Sequence, residues 1–488
     1  MRTPHTQGVL TVNPIDIVIM AAGKGTRMKS KLPKVLHKLA GRPMLAHVLD
    51  AASALQARTV VVVTGHGAME VEAFCARWAG AGGPKDAQDA TLETVRQEPQ
   101  RGTGHAVQQA APYLADDGVT LVLNGDVPLV QPDTLQRLLA LAGGDGVALL
   151  TVDTGQDAGA YGRIVRGAAA EGGSAPVRAI VEAKDASASE RALTEWYSGV
   201  MAAPTRLLKA YLALLDDRNA QQEFYLTDVV KHAVAAGTPV RALTIADETE
   251  VAGVNSPLQL AALERQVQRR TAHRLMEAGV RLADPERLDV RGQLICGQDV
   301  EIDVGCIFEG QVTLGEGVRV GAHCVIANAH IEAGAVIHPL THIDGGKEGV
   351  TVGQGALIGP FARLRPGARL GAEVHIGNFV EVKNSTLAAG AKANHLAYLG
   401  DATVGERVNY GAGSITANYD GANKHRTVIE ADAHIGSNCV LVAPVTIGAG
   451  GTVGAGSTIT KDAPPGALSV ARGRQTSMAS WRRPEKKR

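Results

Sequence analysis

VGQGALIGPFARLRPGARLGAEVHIGNFVEV, residues 352–382, carries an apolar residue at every sixth position: Val352, Ile358, Leu364, Leu370, Ile376 and Val382. The same step recurs before it, at Ile302, Phe308, Leu314, Val320 and Ile326, and after it, at Ile435, Leu441, Ile447, Val453 and Ile459. Glycine often follows, as in Leu314-Gly315, Val352-Gly353, Ile376-Gly377 and Ile447-Gly448. A hexapeptide period predicts a parallel β-helix, in which each short strand turns a corner and its apolar residue points into a stacked core. Chance alternation would lose phase within a few repeats. Two stretches interrupt the period, HPLTHIDGGKEG (338–349) and ANYDGANKHRTVIEAD (417–432), and are expected to be loops leaving the coil.

Upstream of about residue 250 the texture is different. Apolar runs, DIVIMA (16–21), TVVVVTG (59–65), VTLVLNGD (119–126), GVALLTVD (146–153) and VRAIVEAK (177–184), alternate with Ala/Leu-rich helical stretches. Such runs predict a doubly wound, Rossmann-like α/β domain with a mostly parallel sheet covered on both faces. Its ligands belong beyond the carboxyl ends of the strands. Between the two textures lies SPLQLAALERQVQRRTAHRLMEAGV (256–280), with Leu260, Leu263, Val267 and Leu275 near one stripe, a Ser-Pro start and Gly279 as a stop. The expected organisation is a disordered extension over 1–14, an α/β domain over 15–255, a linker helix over 256–283 and the β-helix with its tail over 284–488.

Composition narrows the function. Lys plus Arg balances Asp plus Glu at 49 each, so no global field draws the 488-residue chain to nucleic acid or an anionic membrane. Any anion site must be local. Five cysteines without a CxxC pair read as buried, reduced thiols of a cytosolic protein. No apolar run approaches the ~18 residues of a membrane span.

The first predicted strand empties into Gly23-Lys24-Gly25-Thr26-Arg27. This is not a GxxxxGK[ST] loop, and a dinucleotide fingerprint would need glycine where Met28 stands. Close glycines still expose backbone N–H donors, and Lys24, Arg27, Lys31 and Lys34 add positive charge, a combination suited to polyphosphate. LNGDVPL (123–129) sets Asp126 at the same rim, where it could hold Mg²⁺. RQEPQRGTGHA (96–106) offers Gln97, Gln100 and Gly102-Thr103-Gly104, amide and backbone groups for the edge of a base.

Taken in order, AAGKGTRM, LPKVLH, QRGTGHA, GDVPL, YGRIV, IVEAKDA, YLTD and AGVN, followed by the hexapeptide domain, resemble the bifunctional bacterial enzymes that are N-acetylglucosamine-1-phosphate uridylyltransferase and glucosamine-1-phosphate N-acetyltransferase. The likeness runs from about residue 15 to WRRP (481–484). It implies that a phosphate oxygen of N-acetylglucosamine 1-phosphate attacks the α-phosphorus of UTP and pyrophosphate leaves. By resemblance, Ala21, Ala22, Gly23, Arg27 and Lys34 meet the nucleotide and its phosphates, Asp126 and Asn255 ligate Mg²⁺, Gln97, Gly102 and Thr103 read uracil, and Gly162, Glu182 and Thr227 hold the sugar. One position departs: the family pattern Asn-Thr-Gly is Tyr197-Ser198-Gly199 here, which removes an Asn contact to the sugar.

For the hexapeptide domain the resemblance implies a left-handed β-helix and acetyl transfer from acetyl-CoA to glucosamine 1-phosphate, with His395 as general base. An imidazole of ordinary pKa accepts the amine proton near neutral pH. Arg365 and Lys383 would bind the phosphate, Tyr398, Asn409 and Lys424 would orient the sugar, and Asn418 would position the amine. Ser437 and Arg472 would face the coenzyme, with Ala412, Tyr419 and Ala455 in the same site. A homotrimer with acetyl sites between subunits is implied, as is a bacterial cytosolic role supplying UDP-N-acetylglucosamine for peptidoglycan and lipopolysaccharide. Two rivals make other predictions. A single-activity nucleotidyltransferase with a structural or regulatory solenoid would tolerate His395→Ala; a carbonic-anhydrase-like zinc site would need three convergent imidazoles, for which the histidines lack a common spacing.

Overall fold

The computed structural model describes residues 14–80, 91–168, 175–484 and 486. Apart from Pro14, the extension expected over 1–14 lies outside them. The chain divides into two compact units between Gln266 and Val267.

The first unit is built on a nine-stranded sheet. Its path runs Val240–Ile245, Val147–Val152, Trp196–Pro204, Val119–Asn124, Ile15–Met20, Thr59–Thr64 and Thr91–Arg96. Alternation explains why the strands read as unbroken apolar runs: Ile17, Ile19, Val60, Val62, Leu121 and Leu123 fill the core on one face, and Val18, Val61, Val63 and Val122 the core on the other. Two strands break the expected pattern. Trp196–Pro204 lies within the sheet but runs antiparallel to both neighbours. Val177–Val181, read as part of the parallel series, instead forms an antiparallel pair with Arg163–Arg166 beside it. An apolar run fixes burial, not direction.

The decisive feature for the site is the order around Ile15–Met20. Thr59–Thr64 pairs on one side and Val119–Asn124 on the other, both parallel, with Met20 opposite Asn124. The chain leaves this strand pair at a switch point, where α/β sheets open a crevice.

The helix Pro257–Glu277 spans the segment read as a linker, and Gly279 follows it at φ 94°. Arg281–Leu282 then pairs with Glu301–Ile302, the first step of the second unit.

That unit is a parallel β-helix, every pairing between its described strands being parallel from Arg281–Leu282 onward. All sixteen residues of the three hexapeptide series are at most 5 % exposed. They stack in columns: Ile302 on Val320, Ile337, Ile358 and Ile376 along one face, Phe308 on Ile326, Ile343, Leu364 and Val382 along a second. Leu314 on Ile331, Val352, Leu370 and Leu387 forms the third. Burial of each such side chain is worth roughly 1.5–3 kcal/mol.

Both expected loops are shorter than read. His342–Asp344 is a strand with Ile343 fully buried, and Thr427–Ile429 is a strand registered on Ala402–Val404. The apolar column captures Ile343 and Ile429 despite the polar residues around them, leaving true excursions only near 345–349 and 418–426.

Phe308→Ala removes the largest fully buried side chain of this core and should cost about 3–5 kcal/mol. Urea unfolding followed in the isolated full-length protein should show the loss.

Candidate active sites

At the rim of the first unit, strand ends and turns surround a cavity of about 480 Å³. Ala21, Ala22, Gly23 and Lys24 enter it from the end of Ile15–Met20, and Asn124 and Asp126 from the neighbouring strand. The Gly125 N–H donates to Met20 O (2.9 Å), which ties these two exits together. On the opposite wall are Gln97, Gln100, Gly102 and Thr103. Gln100 Nε2 donates to Ala22 O, bridging the walls directly. Gln97 is buried and donates through Nε2 to Gly102 O (2.8 Å). Gly102 has φ 103°, and a Cβ there would lie 2.6 Å from Phe224 O, so only glycine permits this approach. The helix Thr103–Ala110 starts at that point, and Thr103 Oγ1 accepts the Leu226 N–H (3.1 Å).

Positive charge sits in the centre. Lys34 Nζ is 2.5 Å from Asp126 Oδ2 and 3.2 Å from Asn255 Oδ1. Two hard oxygens thus converge on a cation, the donor set a magnesium ion takes when substrate phosphates complete its octahedron. Among the described residues there is no cluster of three His, Cys, Asp or Glu side chains able to cage a metal unaided.

Arg27 is exposed and does not line this cavity, nor do Gly162, Glu182 and Thr227. Those last three form their own group. Thr227 Oγ1 donates to Glu182 Oε1 (3.0 Å), and burial pushes the Glu182 carboxyl above the usual range. Tyr197 N donates to Gly162 O (2.8 Å). Sequence reasoning missed Tyr161 and Glu223 as cavity walls. Tyr161 stacks on Trp196 with centroids 4.1 Å apart, a pairing between distant residues that no local motif announces.

The second constellation lies along the β-helix. His395 is exposed, and its Nδ1 is 3.0 Å from Asn378 Oδ1 in the coil before. Arg365 Nη1 donates to Glu381 Oε1 (2.8 Å), and Glu381 pairs in register with Tyr398. Gly400 makes room for this tyrosine, since a Cβ there would meet the Tyr398 hydroxyl at 2.2 Å. The Lys383 ammonium is held below the usual lysine range, first by contact with Lys424, then by desolvation and by Arg365, while Asp401 opposes the shift. Crowded like charges of this kind are a ready anion site.

Lys424 and Tyr419 form a bridge across the excursion after Asn418. Asp420 pins that excursion, accepting from Ala422 N, Asn423 N and His425 Nε2 at 2.6–2.8 Å, and these bonds hold its carboxyl well below the usual range. Further along, Asn409 Nδ2 reaches His434 (3.3 Å), Asn438 N donates to Ala412 O (2.7 Å), Gly456 N to Ser437 O (2.9 Å) and Arg472 Nη1 to Ala455 O (2.6 Å). The structure therefore assembles Arg365, Lys383 and Lys424 in one cationic cluster, and leaves Ala412, Ser437, Ala455 and Arg472 as separate contacts on later coils. Asn378 and Asp401 were not singled out by sequence; their signal is a 17-residue step, 378 to 395 and 384 to 401 to 418.

Comparison with known proteins agrees with both halves. The model of the MobA-like NTP transferase domain matches residues 17–232, and that of the bacterial transferase hexapeptide (six repeats) matches 349–384 and 426–461. The bifunctional protein GlmU of Polaromonas naphthalenivorans (strain CJ2) is 72 % identical over 98 % of this chain and 99 % of its own length. The chain belongs to the GlmU family. The GlmU proteins of Albidiferax ferrireducens and Polaromonas sp. JS666 are 69 % and 71 % identical, each over 97 % of this chain and over 100 % and 98 % of their own lengths. A UDP-glucose pyrophosphorylase complexed with UDP-glucose aligns at 15 % identity over 53 % of this chain and 99 % of its own, with a TM-score of 0.43, too distant a likeness to add to this.

Tyr197 stands where the resemblance led asparagine to be expected. Its side chain is buried, its hydroxyl has no hydrogen-bond partner among the described residues, and burial pushes that hydroxyl far above the usual tyrosine range. An unpaired buried hydroxyl destabilises. Tyr197→Phe should therefore raise stability by on the order of 1 kcal/mol, read as a higher urea midpoint at unchanged m-value.

Proposed function

We propose that the rim cavity is the uridylyl-transfer site and that the cluster around His395 is the acetyl-transfer site of one bifunctional chain. The two activities are those of the GlmU family, UDP-N-acetylglucosamine diphosphorylase and glucosamine-1-phosphate acetyltransferase. Sugar phosphate, nucleotide and acyl-CoA are the corresponding substrate classes.

In the first site UTP lies in the cavity, with its base against Gln97, Gly102 and Thr103 and its phosphates on the Ala21–Gly23 turn and Lys34. The nucleotidyltransferase half of the family uses a divalent metal. For this chain the metal is magnesium, held by Asp126 and Asn255; when bound, it supplies charge neutralisation at the triphosphate. Phosphoryl chemistry asks the protein mainly for alignment and electrostatic relief. Lys34 provides the second, its ammonium already being placed at the two ligand oxygens. Gly162, Glu182 and Thr227 receive N-acetylglucosamine 1-phosphate, and Arg27 approaches the phosphates from the exposed turn.

In the second site Arg365, Lys383 and Lys424 take the phosphate of glucosamine 1-phosphate, and Tyr398, Asn409 and Tyr419 its sugar. The single observation that carries the catalytic assignment is the 3.0 Å contact from His395 Nδ1 to Asn378 Oδ1. In the neutral tautomer that donates from Nδ1 to this oxygen, Nε2 keeps its lone pair. Nε2 then accepts the proton that the 2-amino group sheds on attacking the acetyl thioester. Asn418 positions that amine. The coenzyme follows the later coils past Ala412, Ser437, Ala455 and Arg472.

The assembly is a homotrimer acting in the cytoplasm. Exposed Leu340, Phe361, Phe379 and Leu396 form a corner ladder on successive coils, with Phe361 stacked on Phe379 at 5.3 Å, and supply an apolar stripe for packing subunits beside His395. Among the described residues, no helix is long and apolar enough to cross a membrane.

Asp126→Ala should abolish uridylyl transfer and spare acetyl transfer; His395→Ala should do the reverse. Separate assays of the two half-reactions on each variant test this assignment. Either substitution silencing both reactions in a folded protein would refute it.

A further inference from the structure

Asp401 is 7 % exposed and stands between two carboxamides. Its Oδ1 accepts from Asn384 Nδ2 and its Oδ2 from Asn418 Nδ2, each at 2.5 Å. The three residues sit one coil apart, so the carboxylate is sandwiched between the coil below and the coil above. Its backbone is engaged as well: Asp401 N donates to Lys383 O (3.1 Å), and Asp401 O accepts from Thr427 N (3.2 Å). Asn418 opens the 418–426 excursion, and Thr427 ends it. One residue thus holds both feet of the segment that carries Tyr419 and Lys424.

The chemistry of the contact has a direction. A carboxylate can only accept hydrogen bonds, whereas an amide can present either its oxygen or its nitrogen. Facing Asp401, Asn418 must turn Nδ2 inward, and its Oδ1 is left to accept from something else. An N–H of the substrate amine is the donor that the proposed site supplies. An asparagine at 401 would remove this constraint, because an amide pair is satisfied in either orientation.

We infer that Asp401 is a positioning residue for acetyl transfer: it fixes the amide orientation of Asn418 and clamps the base of the Tyr419–Lys424 excursion. This rests on the reading that Asn418 meets the amine. Asp401 touches no substrate in this scheme and acts through its neighbours. Its nearness to Lys383 gives it a second, electrostatic influence on the phosphate subsite.

The test uses full-length protein with D401N, N418A and the double variant D401N/N418A. Acetyl-transfer kcat and KM for glucosamine 1-phosphate are measured, with uridylyl transfer in the same preparations as a control. D401N should lower the acetyl-transfer kcat by on the order of 10²-fold, the scale of a misplaced reacting group. KM should change by much less, and uridylyl transfer should stay at the wild-type rate. In the N418A background D401N should produce no further fall in kcat. Wild-type kcat in D401N, or independent multiplying losses in the double variant, would overturn the proposal while leaving the Asn418 reading standing. Full acetyl transfer by N418A would instead overturn that reading, and the proposal with it. If D401N disrupts the β-helix, N384A replaces it, removing the other brace on the carboxylate at a position whose φ is 44°. A kcat loss in N384A that vanishes in N418A supports the inference, and no loss at all contradicts it.

Discussion

Parallel pairing of short strands is the constraint from which both proposed sites follow. Backbone hydrogen bonds between parallel strands leave the chain no short return, so neighbours in space are distant in sequence. In the first unit this places the exits from Met20 and Asn124 side by side, and the cavity forms because both turns leave at the same rim. In the second unit a coil returns to the same face after 17 or 18 residues, or after 21 and 25 where an excursion lengthens it, and polar side chains at equivalent points meet across coils. Asn378 with His395, and Asn384 with Asp401 and Asn418, are such meetings. Apolar columns set the register. The polar contacts use it.

Much of this was legible because the β-helix writes its geometry in arithmetic. Sixteen apolar positions at a six-residue step correspond to sixteen buried side chains. The exact step stopped at Val382 because the next coil is one residue shorter: Leu370 stacks on Leu387, and Val382 on Leu399. The buried strand at Ile343 was hidden among His, Asp, Gly and Lys, a local composition that signals a loop, and only the stacked column overrides it. In the α/β unit the strands were visible and their directions were not, since Trp196–Pro204 would bury the same side chains running either way.

The candidate residues divide along the same line. Ala21–Gly23, Lys34, Gln97, Gly102, Thr103, Asp126 and Asn255 belong to local motifs and do surround one cavity. Glu182 and Thr227, from separate motifs, meet at 3.0 Å but outside that cavity's lining. What escaped sequence reading was support: Asn378 behind the imidazole, Asp401 behind Asn418, and the Tyr161–Trp196 stack at the rim cavity. Supporting groups act through contacts made by the fold, and their residue types are ordinary, so nothing in the local string marks them. Tyr197 shows the converse. That a tyrosine stands where asparagine was expected is plain in the sequence, but that its hydroxyl is buried without a partner among the described residues is a property of packing alone.

The central claim is that one chain carries the residues of two separate reaction centres. Mixing Asp126→Ala protein with His395→Ala protein, and supplying Mg²⁺, UTP, acetyl-CoA and glucosamine 1-phosphate, tests it most directly. The account predicts that the mixture makes UDP-N-acetylglucosamine after a lag, during which free N-acetylglucosamine 1-phosphate rises and then falls. A mixture that accumulates no intermediate and no product, although each protein is folded, would contradict it.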